Sequence, residues 1–331
     1  MHKTISSAET IVLLVILACF GASVVLSSQG YGEVAWGKFA FPYLCSLGLV
    51  VLGTFYRTSR NNDRIATVLI VTGLYVGFTN AGATLNYLLF SADAPKLDPL
   101  LMALDAMIGF EWAAFVMWFE GRQLLSDILG IVYQSSLLQL MLVIGLLGFT
   151  GRTRSLHEFM LVGVFSSVVS ISIWAVAPSF GPAHIVELPA HLRDGLGLTV
   201  DADYIAHLRL IANNGSEVIE PLSLQGLIAF PSMHTVMAMM TVFYTRRTSL
   251  FPVFLAINIL MLPAILLHGG HHLVDVLGGF AVFAFVVCAI RALGHAGAHL
   301  VPAPAYAGTG IAPTLGRDSV RDDPALSARA D

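Results

Sequence analysis

Apolar runs long enough to cross a bilayer recur along this chain, and that recurrence limits its fold more than any other feature. A helix needs about 20 residues to span hydrocarbon, and within lipid every backbone N–H and C=O must be satisfied inside the segment. Such runs cover residues 10–28, 39–56, 66–90, 127–149, 158–177, 228–245, 250–267 and 272–291. They predict an all-α, polytopic integral membrane bundle of about eight transmembrane helices. Composition agrees: 56% of residues are hydrophobic and 11% charged, and the mean hydropathy is +0.78. A water-soluble fold would lack the polar surface to cover itself. A net charge of -4 with no large basic cluster excludes a nucleic-acid partner. Cys19, Cys45 and Cys288 lie in apolar runs without metal-ligand spacing and read as packing residues. Ile16-Leu17-Ala18-Cys19 has a loose likeness to a lipoprotein processing site, but further spans follow, and the first run reads as an uncleaved helix.

Arg57, Arg60 and Arg64 follow the second run, Arg152 and Arg154 the fourth, and Arg246 and Arg247 the sixth. By parity these connections share one side, and basic short loops are retained in the cytoplasm. Both termini are then inside, and the segments around 29–38, 91–126, 178–227 and 268–271 face the periplasm or exterior of a cell inner membrane. Between Asp98 and Glu120, the acids Asp105, Glu111 and Glu120 interrupt Leu100, Leu101, Leu104, Ile108, Phe115 and Trp118. That pattern predicts an amphipathic helix along the outer interface. Three parts follow: N-terminal transmembrane helices with the interfacial helix over 1–126, a catalytic helical bundle over 127–293, and a disordered cytoplasmic tail over 294–331, where Pro, Gly, Ala and mixed charges replace apolar content.

Two histidine motifs open apolar runs: Phe230-Pro231-Ser232-Met233-His234, and His268-Gly269-Gly270-His271-His272-Leu273-Val274-Asp275. Titratable groups at such depth mark functional sites. Both runs present a helix N-terminus to the exterior, and two such ends together suit an anion. Pro231 fits a first helical turn, and Gly269-Gly270 allows close backbone approach. Ser232 and the glycine amides can donate to phosphate-like oxygens. His271 and Asp275 are four residues apart, one helical face, so the carboxylate can hold the imidazole in one tautomer. His234, opening another helix on the same side, can supply a proton to a leaving oxygen.

Pro-Ser-x-His and His-x-x-x-Asp, each at a helix mouth, resemble the type 2 phosphatidic acid phosphatase superfamily. Ala229-Phe230-Pro231-Ser232-Met233-His234 and Gly270-His271-His272-Leu273-Val274-Asp275-Val276-Leu277-Gly278-Gly279 resemble more narrowly the branch containing the inositol phosphorylceramide synthases. Tyr133 and Pro178-Ser179-Phe180-Gly181-Pro182 extend the likeness more weakly. The resemblance implies that His271 attacks phosphorus and forms a phosphohistidine, that Asp275 orients it, and that His234 protonates the departing alkoxide. Water or an alcohol would complete the cycle, without cofactor or metal. It implies a phospholipid, sphingolipid or prenyl phosphate substrate and leaves hydrolysis and transfer to an alcohol both open.

The chain departs from that pattern. Phosphatases of this superfamily carry an upstream Lys and Arg and a Ser-Arg pair before the nucleophilic histidine, yet Ile265 stands six residues before His271. Arg193 and Arg209 are the leading replacements for holding phosphate, with His268, His184, His191 and His207 behind them. Two other classes stay open: a membrane haem or metal protein ligating through His234, His271 and Asp275, and a transporter with Asn80, Asn86 and Asp275 along its path.

Overall fold

The protein is described from a computed structural model covering residues 6–90, 94–214 and 218–300. Helices α1 (Ser7–Ser28), α2 (Trp36–Thr58) and α3 (Asp63–Leu88) come first, then the short α4 (Asp98–Met107) and α5 (Trp112–Met117). Next are α6 (Gln123–Gln134), α7 (Ser136–Phe149) and α8 (Thr153–Val176). A segment with a 3-10 turn (Pro182–His184), α9 (Ala190–Leu196) and α10 (Ala202–Asn214) leads to α11 (Met233–Thr245), α12 (Phe251–His268) and α13 (Leu273–Leu300). Two short strands, β1 (Glu33–Val34) and β2 (Val218–Ile219), pair in parallel.

This is a polytopic membrane bundle. Among the described residues, six helices (α1, α2, α3, α8, α12 and α13) are long and apolar enough to cross a bilayer, and α6 with α7 makes a seventh span if the pair, bent by 48°, counts as one. The sixth expected span, 228–245, is the one left over, and its helix is shorter than its apolar run. Its helix has 13 residues, about 20 Å of rise against about 30 Å of hydrocarbon. The cause is local: Pro231 disfavours helix in the residue before it, and Ser232 caps α11 in an extended conformation, its side chain accepting from Thr235 N. Pro231 therefore lies ahead of the helix rather than in its first turn. At the other end, α13 runs to Leu300, and the rest of the expected tail, 301–331, lies outside the described residues.

The main core joins α3, α7, α8, α11 and α13 through Val71, Val143, Leu147, Phe159, Val236 and Phe283. A second cluster sets Trp112 and Val116 of α5 and Leu129 of α6 against Ala264, Ile265 and Leu267 of α12, with the Trp112 indole N–H donating to Leu266 O at 2.8 Å. Leu14, Leu17, Phe41, Leu44, Leu47 and Val51 stay exposed on α1 and α2, as expected where lipid is the solvent. At one end the three basic connections meet: Arg64 lies beside Gly151, and Arg152 donates to Arg247 O at 2.6 Å. The same end holds a buried knot, where Arg57 grips both carboxylate oxygens of Glu9 at 2.7 Å and His157 Nε2 lies 3.1 Å from Oε1.

Candidate active site

The N-terminal ends of α11 and α13 lie together, at the ends of their helices opposite the basic loops. The Ser232 backbone N–H donates to Asp275 O at 3.0 Å, which ties the two mouths directly. Gly279 permits this approach, because a Cβ there would sit 2.5 Å from Ser232 O. His234, the second residue of α11, faces His271 with ring centroids 6.4 Å apart. Its other side stacks on Tyr133 of α6, with centroids 4.2 Å apart and planes 21° from parallel.

His271 and Asp275 straddle the start of α13. Nδ1 of His271 lies 3.1 Å from Oδ2 of Asp275, and the same oxygen accepts the His272 backbone N–H at 2.8 Å. Both side chains are buried. An ionised carboxylate only accepts hydrogen bonds, so this contact puts the proton on Nδ1 and leaves Nε2 with a free lone pair. His271, His234, Gly269 and Tyr133 line one cavity of about 620 Å³. It continues between α3, α7, α8 and α11 past Ile144, Ile171, Met237 and Met240, and Asn86, Tyr204 and Gln225 also contribute to its wall.

A model of the PAP2 superfamily matches residues 99–289. The chain belongs to the PAP2 superfamily. It is thus a phosphatase or phosphotransferase of the type 2 phosphatidic acid phosphatase superfamily, and the match begins in α4, ahead of residue 127. No curated protein and no solved structure matches the chain.

The remaining residues singled out in this PAP2 enzyme are distributed unevenly around the cavity. Gly270 adopts a left-handed φ of +58°, the conformation glycine accepts without strain, and its carbonyl packs against Gly181, where a Cβ would come within 2.2 Å. Ser232 is fully buried with its side chain committed to the α11 cap. Arg193 and Arg209 line a separate cavity of about 200 Å³ that has Val200 in common with the larger one. No Lys or Arg lines the larger cavity among the described residues. Arg209 donates to His184 O at 3.2 Å and lies 3.9 Å from Glu187. The ring nitrogens of His268 both have protein partners: Nδ1 accepts from Thr199 N at 3.3 Å, and Nε2 lies 2.9 Å from Ser126 O. His191 sits at the surface, 3.6 Å from Glu120.

Residues that carried no motif complete the surroundings. Asp105, expected on the polar face of an interfacial helix, instead points inward and is 3% exposed. Its two oxygens accept the N–H groups of Leu273 and Val274, each at 3.0 Å, capping α13. Asp98, also buried, accepts from Ser179 Oγ, Phe180 N and Gly181 N. Burial opposes the charge of Asp98, but His272, Ser179 and those two N–H groups hold its carboxyl below the usual carboxylate range. Among the described residues, no group of three or more His, Cys, Asp or Glu has metal-holding geometry.

Proposed function

We propose that the enzyme cleaves a lipid-linked phosphate ester through a phosphohistidine on His271. Nε2 of His271 attacks phosphorus as the bond to the leaving oxygen breaks. Asp275, hydrogen-bonded at Nδ1, fixes the tautomer and stabilises the positive ring that forms. His234 gives its proton to the departing alkoxide. It then takes one from water or an alcohol, which attacks the phosphohistidine and regenerates His271. The observation that carries this reading is the approach of the two rings to 6.4 Å, with His271 backed by a carboxylate and both rings on one cavity wall.

The largely apolar wall running from the histidines between membrane helices suits the tail of a phospholipid, sphingolipid or prenyl phosphate. Resemblance to the inositol phosphorylceramide synthase branch favours transfer to an alcohol over hydrolysis. The positive-inside rule places the basic end in the cytoplasm and the site at the outer face of the inner membrane. Arg193 and Arg209 remain the proposed cations for phosphate oxygens, acting across the wall that contains Val200. Gly269 and Gly270 let the chain pass close to the phosphate. In this reading the helices over 127–293 carry the chemistry and those over 1–126 support them.

The test is incubation of purified protein with labelled phospholipid and prenyl phosphate, with and without inositol or other alcohols. Free phosphate reports hydrolysis and a phosphodiester reports transfer. A His271→Ala variant that keeps both activities ends the proposal.

A further inference from the structure

The reaction just proposed makes no use of His272, although it is fully buried beside the nucleophile. It is absent from the cavity wall, so it does not reach substrate. Its Nδ1 lies 3.3 Å from Asp105 Oδ2 and its Nε2 lies 3.6 Å from Asp98 Oδ1, ion-pair contacts rather than aligned hydrogen bonds. A neutral imidazole has one N–H. Two carboxylates, one facing each nitrogen, suit the doubly protonated ring. Each carboxylate also grips a different piece of backbone. Asp105 caps α13 at Leu273 and Val274. Asp98 gathers the turn at Ser179, Phe180 and Gly181, and Gly181 presses on the Gly270 carbonyl just before His271.

We propose that His272, held between Asp98 and Asp105, is a positioning residue that sets the loop 269–275 and so aims the His271 imidazole at phosphorus. The link to His271 is short. The His272 backbone N–H and His271 Nδ1 share Asp275 Oδ2, so a shift of residue 272 moves the oxygen that orients the nucleophile. The α4 segment, 165 or more residues away in sequence, thereby takes part in catalysis without touching substrate. Burial alone would lower the basicity of His272, but Asp98, Asp275 and Asp105 raise it, in keeping with the charged ring. Removing that ring's charge strands two buried carboxylates, whereas removing one carboxylate with it relieves the imbalance.

The inference rests on the histidine chemistry proposed above. Its test is steady-state and single-turnover kinetics on full-length His272→Gln, Asp105→Asn and the double variant, with His271→Ala beside them and thermal midpoints recorded in the same detergent. Each single variant is expected to lose about 10- to 100-fold in kcat and in the rate of phosphoenzyme formation, the cost of a misaimed reacting group, with KM within about two-fold. The double variant is expected to be no slower than the worse single variant. Single variants with kcat within two-fold of the parent, losses that multiply in the double variant, or a fall in thermal midpoint with kcat intact would overturn the proposal. An active His271→Ala removes the chemistry and the purpose of the clamp with it. An inactive His271→Ala beside a fully active His272→Gln removes the clamp alone.

Discussion

His271 and Asp275 meet across the first turn of α13, with Nδ1 3.1 Å from Oδ2; His271 is buried on the cavity wall and Asp275 is fully buried behind it. The pair forms because a helix start brings residues four apart onto one side. Asp275→Asn can reverse the hydrogen bond and favour the wrong tautomer. A loss of kcat on the order of 10²–10⁴-fold is expected, with KM little changed. Kinetics on a short-chain lipid phosphate check this, and a variant within three-fold of the parent would show that the carboxylate does not orient the ring.

Tyr133 supports His234 through its ring face. Aromatic stacking of this kind contributes about 0.5–1.5 kcal/mol. Tyr133→Phe is therefore expected to keep activity within a few fold, and Tyr133→Ala to lose about 10-fold through an unrestrained His234. Equal losses in both variants would shift the role to the hydroxyl.

Gly181 has φ +86° and faces Gly270 O at a distance no Cβ can share. Gly181→Ala is expected to cost about 1–3 kcal/mol from backbone conformation alone, seen as a lower melting temperature, and to displace the loop before His271. A variant with unchanged melting and activity would mean that the turn relaxes freely.

His268 shares a motif with His271, yet Ser126 and Thr199 occupy its ring nitrogens. His268→Ala is expected to lower stability by about 1–3 kcal/mol, the cost of stranding buried partners, with kcat/KM within about three-fold in protein that remains folded. A selective loss of substrate affinity would instead assign it to phosphate binding.

The Asp98–His272–Asp105 group makes stability depend on pH. Asp98 has a lowered folded pKa, so its contribution is present above the ordinary carboxylate pKa and lost as pH falls through the lowered value. His272 has a raised folded pKa, so its contribution is complete below the ordinary imidazole pKa and lost as pH rises through the raised value. The gap in melting temperature between parent and His272→Gln is expected to be widest in the mildly acidic window between these limits and to narrow on the alkaline side. Melting curves across pH check this, and a gap that widens with increasing alkalinity would contradict the charged ring.

Much of this architecture is legible along the chain because its rules are local. Apolar run length marks the spans, and a spacing of four brings His271 to Asp275. Misplacements arise where a local rule meets a distant partner. The run over 228–245 promised a full span, but Ser232 caps a shorter helix. Asp105 looked like a polar interruption of an amphipathic stretch, but the unpaired N–H groups of Leu273 and Val274, 168 and 169 residues further on, draw it inward. Arg193 and Arg209, the proposed phosphate cations, line a neighbouring cavity that has Val200 in common with the larger one, a placement that their charge alone does not give.

The sequence by itself determined a bilayer-solvated helical bundle and the His-x-x-x-Asp pair, since hydropathy and helical period act within a few turns. Only the tertiary structure decided that His234 stands against Tyr133, that His268 is occupied by Ser126 and Thr199, and that α4 reaches the loop beside His271. Those contacts exist because buried donors and acceptors must find partners wherever the fold places them, and no periodicity along the chain records who the partner will be.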